Sequence, residues 1–151
     1  MLDLKVPPPI VTLVLAFLMW LTPAFAGLVQ VPYPARVLCA LVLVCIGQGI
    51  GIAGLVAFRR AKTTVNPVKA SLASSLVVEG VYRYTRNPMY VGFLLTLLGW
   101  AIFLANPLAL LWLVVFVLYI TRFQIIPEER VLASLFGTEY EAYKGRVRRW
   151  V

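Results

Sequence analysis

Charged residues cut this chain into long apolar runs, and the length of each run separates membrane spans from connectors. Ile10 to Val29 holds 20 residues without a charge, enough to cross roughly 30 Å of hydrocarbon at about 1.5 Å per residue. A kink is expected at Pro23. A lone Lys5 beside Asp3 and no small-residue cleavage site around Leu28-Val29-Gln30 favour a retained helix over a signal peptide. Val31-Pro32-Tyr33-Pro34 reads as a turn, and Val37 to Phe58 as a second span of 22 residues that stops at Arg59-Arg60-Ala61-Lys62. Asn87 to Thr121 is uncharged for 35 residues, too long for one span, and Asn106-Pro107 divides it. The pattern predicts a hairpin with arms 89–105 and 108–121, the second only about 21 Å long.

Composition turns these runs into a membrane protein. Of the 151 residues 62% are hydrophobic and 13% charged, where soluble domains carry about 25% charged, and mean hydropathy is +0.90. Such a chain lacks the polar shell a soluble core requires. Net charge is +8, which in a soluble protein would raise nucleic acid as a partner. Here the basic residues follow the connectors instead. Arg59, Arg60, Lys62, Lys69, Arg83 and Arg86 lie in the middle loop, six more lie from Arg122 onward, and only Arg36 stands between the first two spans. The positive-inside rule then gives one all-α integral membrane domain of four transmembrane helices, multi-pass, with both termini cytoplasmic and no nucleic acid partner.

Two cysteines, Cys39 and Cys45, sit in an apolar run with no second pair to build a metal site, and both read as small hydrophobes. The absence of histidine excludes an imidazole base or a Ser-His-Asp triad. Gly47, Gly51 and Gly54 share one helix face, which suits close helix packing within the chain or in a dimer equally well. Gly49-Ile50-Gly51-Ile52-Ala53-Gly54 matches a G-x-G-x-x-G string, but no strand precedes it, so helix packing is the better account.

Polar groups gather in two places that the topology brings to one membrane face. Glu79 to Gly92 interleaves arginines and tyrosines before a span, which by itself describes an interfacial belt. Pro127-Glu128-Glu129 to Gly137 describes an amphipathic tail helix with Val131, Leu132, Leu135 and Phe136 on its apolar side. Two adjacent carboxylates at the lipid boundary, among six acids in all, point further, because an acid near hydrocarbon tends to be kept for function. Thr138 to Glu141 forms a capping box for a last short helix bearing Tyr140 and Tyr143. Arg146-Val147-Arg148-Arg149-Trp150 reads as an anchor to anionic lipid.

The string from Gly80 to Gly92, G-V-Y-R-Y-T-R-N-P-M-Y-V-G, followed by E-E-R-V-L-A-S-L-F-G-T-E-Y-E-A-Y-K from Glu128, resembles the C-terminal half of the isoprenylcysteine carboxyl methyltransferase and phospholipid N-methyltransferase superfamily. The resemblance covers residues 76–149. It implies an integral-membrane methyltransferase that binds S-adenosylmethionine at the cytoplasmic face without a metal and methylates a lipid or small hydrophobic acceptor. By position it implies cofactor contacts at Leu76, Val77, Tyr82, Asn87, Pro88, Met89, Tyr90 and Glu128; Arg86 and Glu129 beside them are expected as the catalytic pair. Arg86-Asn87-Pro88 stands where many members have Arg-His-Pro, and Asn87 cannot take a proton. At the acceptor end, Gln124 stands where prenylcysteine-methylating members have an arginine, with Arg122 two residues earlier. Both are expected to meet the substrate. The competing expectations are a non-catalytic scaffold of the same fold and a reductase of the sterol type.

Overall fold

Prolines open most of the helices. The computed structural model describes residues 6–22, 31–61 and 75–151. Four of its five α-helices carry proline in the first turn: α1 (Pro8–Leu21), α2 (Tyr33–Arg60), α3 (Pro88–Leu104) and α5 (Ile126–Arg146). A proline there gives up an N–H that has no helical partner and presets φ. The fifth, α4 (Ala109–Ile120), starts after the hairpin bend instead. Ala105 stops α3 in the left-handed region at φ 50°, and the Asn106 side chain accepts the Leu108 amide at 3.1 Å to form the bend. A 3-10 turn (Gly80–Arg83) precedes α3. No strand occurs among the described residues.

The helices run between two ends. At the bend, the Asn106 amide donates to the Thr22 carbonyl, the Trp112 indole donates to the Thr22 hydroxyl, and Tyr33 and Arg36 of α2 reach Phe103. At the other end Phe58 of α2 meets Tyr82, and Pro8 of α1 lies beside the starts of α3 and α5. So α1 and α3 run one way while α2 and α4 return. Buried side chains of α1, α3 and α4, among them Leu15, Met19, Leu97 and Phe116, form the apolar core.

Helix α2 joins this group differently. Its buried residues are Ala40, Gly47 and Gly54, while Leu38, Leu41 and Ile52 point outward. A Cβ on Gly92 of α3 would lie 2.5 Å from the Gly47 carbonyl oxygen, and one on Gly99 would lie 2.9 Å from that of Ala40. Backbones in that proximity with large apolar residues facing away are the packing expected in lipid. Gln48 adds a hydrogen bond to Thr96 across the seam at 3.0 Å. The small-residue face thus serves packing within the chain, although a Cβ on Gly51 would meet open space.

Several boundaries differ from the sequence expectation. Tyr33 and Pro34 belong to the first turn of α2 rather than to a separate turn. The described part of the first span ends with α1 at Leu21, and the kink expected at Pro23 lies outside the described residues. Helix α4 does not stop at Thr121; it passes through a π turn (Thr121–Ile125) directly into α5, a helical run from Ala109 to Arg146. Pro127 is the reason, because it cannot donate to the Phe123 carbonyl and its ring would crowd that oxygen in a regular helix. Within α5 Gly137 (φ 46°, ψ −119°) makes a sharp bend, and Glu141 is taken by Lys144 at 3.0 Å rather than folding back as a cap.

Tyr33–Arg60 and Ala109–Arg146 are long and apolar enough to cross a membrane, and α1 and α3 are shorter apolar helices. Gly92→Ala should drive α2 and α3 apart and lower thermal stability in detergent by about 1–3 kcal/mol. Gly49→Ala, whose Cβ meets nothing, should leave the melting temperature unchanged or raised. Equal melting temperatures for the two variants would contradict the packing described.

Candidate functional site

Where α1, α3 and α5 begin and α2 ends, the chain encloses a cavity of about 260 Å³. Its walls are mostly apolar and aromatic: Pro8 and Pro9 from α1, Phe58 from α2, Met89 and Phe93 from α3, and Leu132 from α5. Leu76 and Val77 form one side as chain outside any helix, held near α2 by a hydrogen bond from Ser75 to the Ala61 carbonyl at 3.2 Å. Tyr82 is fixed from two directions. Phe58 stands edge-on to it with ring centroids 5.4 Å apart, and its backbone carbonyl accepts the Tyr143 hydroxyl at 2.8 Å.

Adjacent residues on a helix point about 100° apart, so Glu128 and Glu129 acquire separate partners. Glu128 accepts the Tyr90 hydroxyl at 2.6 Å. Glu129 is gripped by Arg149 through a fork, Nε to Oε1 at 3.0 Å and Nη2 to Oε2 at 2.7 Å, while Nη1 of Arg86 approaches Oε1 at 3.1 Å. Because α5 continues from α4 through the π turn, its start is no free helix terminus, and a dipole role does not account for the two acids. Arg86 lines the cavity with its side chain only 11% exposed, and its Nε has no hydrogen-bond partner among the described residues.

Burial moves the titrations. Glu128 lies beyond the apolar span that ends at Ile120, and its carboxyl is pushed up to about 7, chiefly by burial. The Tyr90 hydrogen bond opposes that rise and the neighbouring Glu129 adds to it. Tyr140 is raised to about 12 by burial, with Glu129 adding to the effect and Arg86 opposing it. Tyr82 and Tyr143 are pushed upward too, again chiefly by burial, so these hydroxyls stay protonated.

The tail completes the site. Arg86 N–H donates to the Arg148 carbonyl at 3.0 Å, the Asn87 amide donates to the Arg149 carbonyl at 2.8 Å, and the Trp150 indole donates to Thr121 at 3.2 Å. The lipid-anchor reading of this segment is therefore corrected for Arg149 and Trp150, whose side chains turn inward. Of the expected site residues, Leu76, Val77, Tyr82, Arg86, Asn87, Pro88, Met89, Tyr90, Glu128 and Glu129 all line the one cavity. Arg122 and Gln124 do not. Arg122 is exposed and stacks on Phe123, and Gln124 is 1% exposed, its amide donating to the Val6 carbonyl at 2.7 Å. Sequence reasoning missed Arg149, which nothing in the basic tail distinguishes from Arg146 or Arg148, and it missed the proline wall from α1.

A raised carboxyl favours the protonated folded state, so the stability Glu128 lends is complete below its ordinary value of 4.5 and lost as pH rises through about 7. Melting in detergent should follow that course, and Glu128→Gln should abolish it. Tyr90→Phe should shift the loss to higher pH, because the hydroxyl favours the carboxylate. A melting profile indifferent to both changes would refute the assignment.

The sequence pattern of the family described as phospholipid methyltransferase matches residues 35–139. A probable protein-S-isoprenylcysteine O-methyltransferase of Oryza sativa subsp. indica is 38% identical over 110 residues, 71% of this chain and 56% of that protein. The protein-S-isoprenylcysteine O-methyltransferase of Schizosaccharomyces pombe is 33% identical over 111 residues, 72% of this chain and 46% of that protein. An uncharacterized protein of Haemophilus influenzae is 51% identical over 63 residues, 42% of this chain and the whole of that protein. The chain thus spans about half the length of the methyltransferases it matches. No solved structure is a significant match.

Proposed function

The chain belongs to the phospholipid methyltransferase family, and from that premise we propose that it transfers the methyl group of S-adenosylmethionine to a lipidic acceptor held in the membrane. The observation that carries this reading is the pairing, in one apolar cavity, of a half-buried carboxyl at Glu128 with an arginine at Arg86 whose Nε has no hydrogen-bond partner among the described residues. A zwitterionic, sulfonium-bearing ligand needs both signs of charge and flat walls, and Tyr82, Tyr90 and Phe58 supply the walls.

When bound, S-adenosylmethionine supplies a methyl group already activated on sulfur. Arg86 would hold the ligand's carboxylate and Glu128 its cationic part, with Leu76, Val77 and residues 87–90 enclosing the rest. What remains for the protein is alignment of two reactants and exclusion of water. Glu129 is committed to two arginines, forked by Arg149 and 3.1 Å from Arg86, and is not free to meet the acceptor. The apolar wall of Pro8, Pro9, Phe93 and Ile125 suits a hydrophobic acceptor. Gln124, sealed against Val6, is not a contact for it.

The cavity end also collects the positive charge. Arg59, Arg60, Arg83, Arg86 and the arginines of the tail stand there against Arg36 at the bend, so four helices cross with the cavity facing the cytoplasm. Reporter fusions should give a cytoplasmic signal at the tail and a non-cytoplasmic one at residue 106; a cytoplasmic signal at 106 would sink this topology.

Calorimetry on detergent-purified protein should show saturable S-adenosylmethionine binding that strengthens as pH rises through about 7. Glu128→Gln removes a charge-assisted contact, for which about 1.5–3 kcal/mol is typical, so affinity should fall roughly 10- to 150-fold. Glu139→Gln, an exposed acid on α5, should leave it unchanged. Equal, small effects of both substitutions would show that Glu128 does not hold the ligand.

A further inference from the structure

Glu129 has two cationic neighbours and treats them unequally. Arg149 occupies both of its oxygens in a fork with good hydrogen-bond geometry, whereas the Nη1 of Arg86 approaches one oxygen off that geometry and its Nε bonds to nothing described. The fork is held by the backbone around it. The Arg149 carbonyl accepts from Asn87 and from the Thr85 hydroxyl at 3.4 Å, the Arg148 carbonyl accepts the Arg86 amide, and Trp150 is tied to Thr121. One short stretch of tail therefore grips both the loop that carries Arg86 and the helix that carries Glu129.

A buried carboxylate takes the nearest available cation, because leaving it unpaired is costly. Without Arg149 that cation is Arg86, whose guanidinium would rotate to form its own fork with Glu129 and withdraw from the cavity. We propose that Arg149 is a positioning residue: by saturating Glu129 it keeps the Arg86 guanidinium available to the carboxylate of a bound ligand. This rests on the reading of the cavity as a site for S-adenosylmethionine. The docked tail is on this account part of the binding site, since recognition of the ligand's anionic end depends on it.

The experiment compares two ligands that share the thioether nucleoside and differ in the amino-acid end. S-adenosylhomocysteine carries the carboxylate, and 5'-methylthioadenosine does not. Titration calorimetry on detergent-purified protein should show Arg149→Gln losing roughly tenfold or more for S-adenosylhomocysteine, with little change for methylthioadenosine. Adding Glu129→Gln to Arg149→Gln should restore most of the loss, because nothing then captures Arg86. Arg149→Lys, which keeps the charge without the fork, should show a smaller loss confined to S-adenosylhomocysteine, and it carries the test if Arg149→Gln does not fold. Equal losses for both ligands, no loss, or no rescue in the double variant would overturn the inference while leaving the site reading intact. If the unaltered protein binds neither ligand, the site reading itself fails and the inference falls with it.

Discussion

A helix surrounded by lipid gains little by hiding its large side chains, so contact between helices has to come from backbone approach. That constraint sets the geometry of this molecule. Gly47 against Gly92 and Ala40 against Gly99 bring α2 and α3 together along their length, and Gly54 continues the seam to Pro88, where a Cβ would meet the proline ring at 3.1 Å. The seam ends where Phe58 lies on Tyr82. The cavity is therefore a product of helix packing: the aromatic wall stands where two backbones have been brought close.

Apart from bonds such as Gln48 to Thr96 at mid-seam, the polar contacts gather toward the ends of the bundle, where each group finds a partner. At the bend the demand is met through Thr22, whose carbonyl and hydroxyl accept from Asn106 and Trp112 and so tie α1 to the α3–α4 hairpin. At the cavity end too it is met by bonds distant in sequence: Tyr90 to Glu128, Tyr143 to Tyr82, and Arg149 to Glu129. These bonds tie the loop before α3, the start of α5 and the tail into one unit. Among the described residues, Glu129 is compensated by two arginines and Glu128 is met by a hydroxyl.

Much of this was legible in the chain because lipid makes the code simple. The uncharged run broken at Asn106-Pro107 gave the α3–α4 hairpin to within a residue or two, and the small-residue face of α2 marked the seam. Leu76, Val77, Tyr82, residues 86–90 and the acids 128 and 129 line one cavity. What stayed hidden has physical causes. A helix end read from the first charge fails when a π turn carries the helix past it, as at Arg122. Arg149 looks like any other interfacial arginine until the chain folds back, and Gln124 looks like a site residue although its direction on the π turn sends it to Val6.

Position along α4 and direction around it are a single variable, because each residue turns the helix by about 100°. The π turn at Thr121–Ile125 is wider than an ordinary turn and so sets the phase at which Glu128 meets Tyr90. Losing one residue there could be absorbed by relaxation of the wide turn to α geometry. A second loss would swing both acids out of register with the loop that carries Arg86. The length of this helix is thus quantised: it can be matched to a thicker or thinner bilayer only in whole turns, steps of about 5.4 Å, if the cavity is to stay assembled.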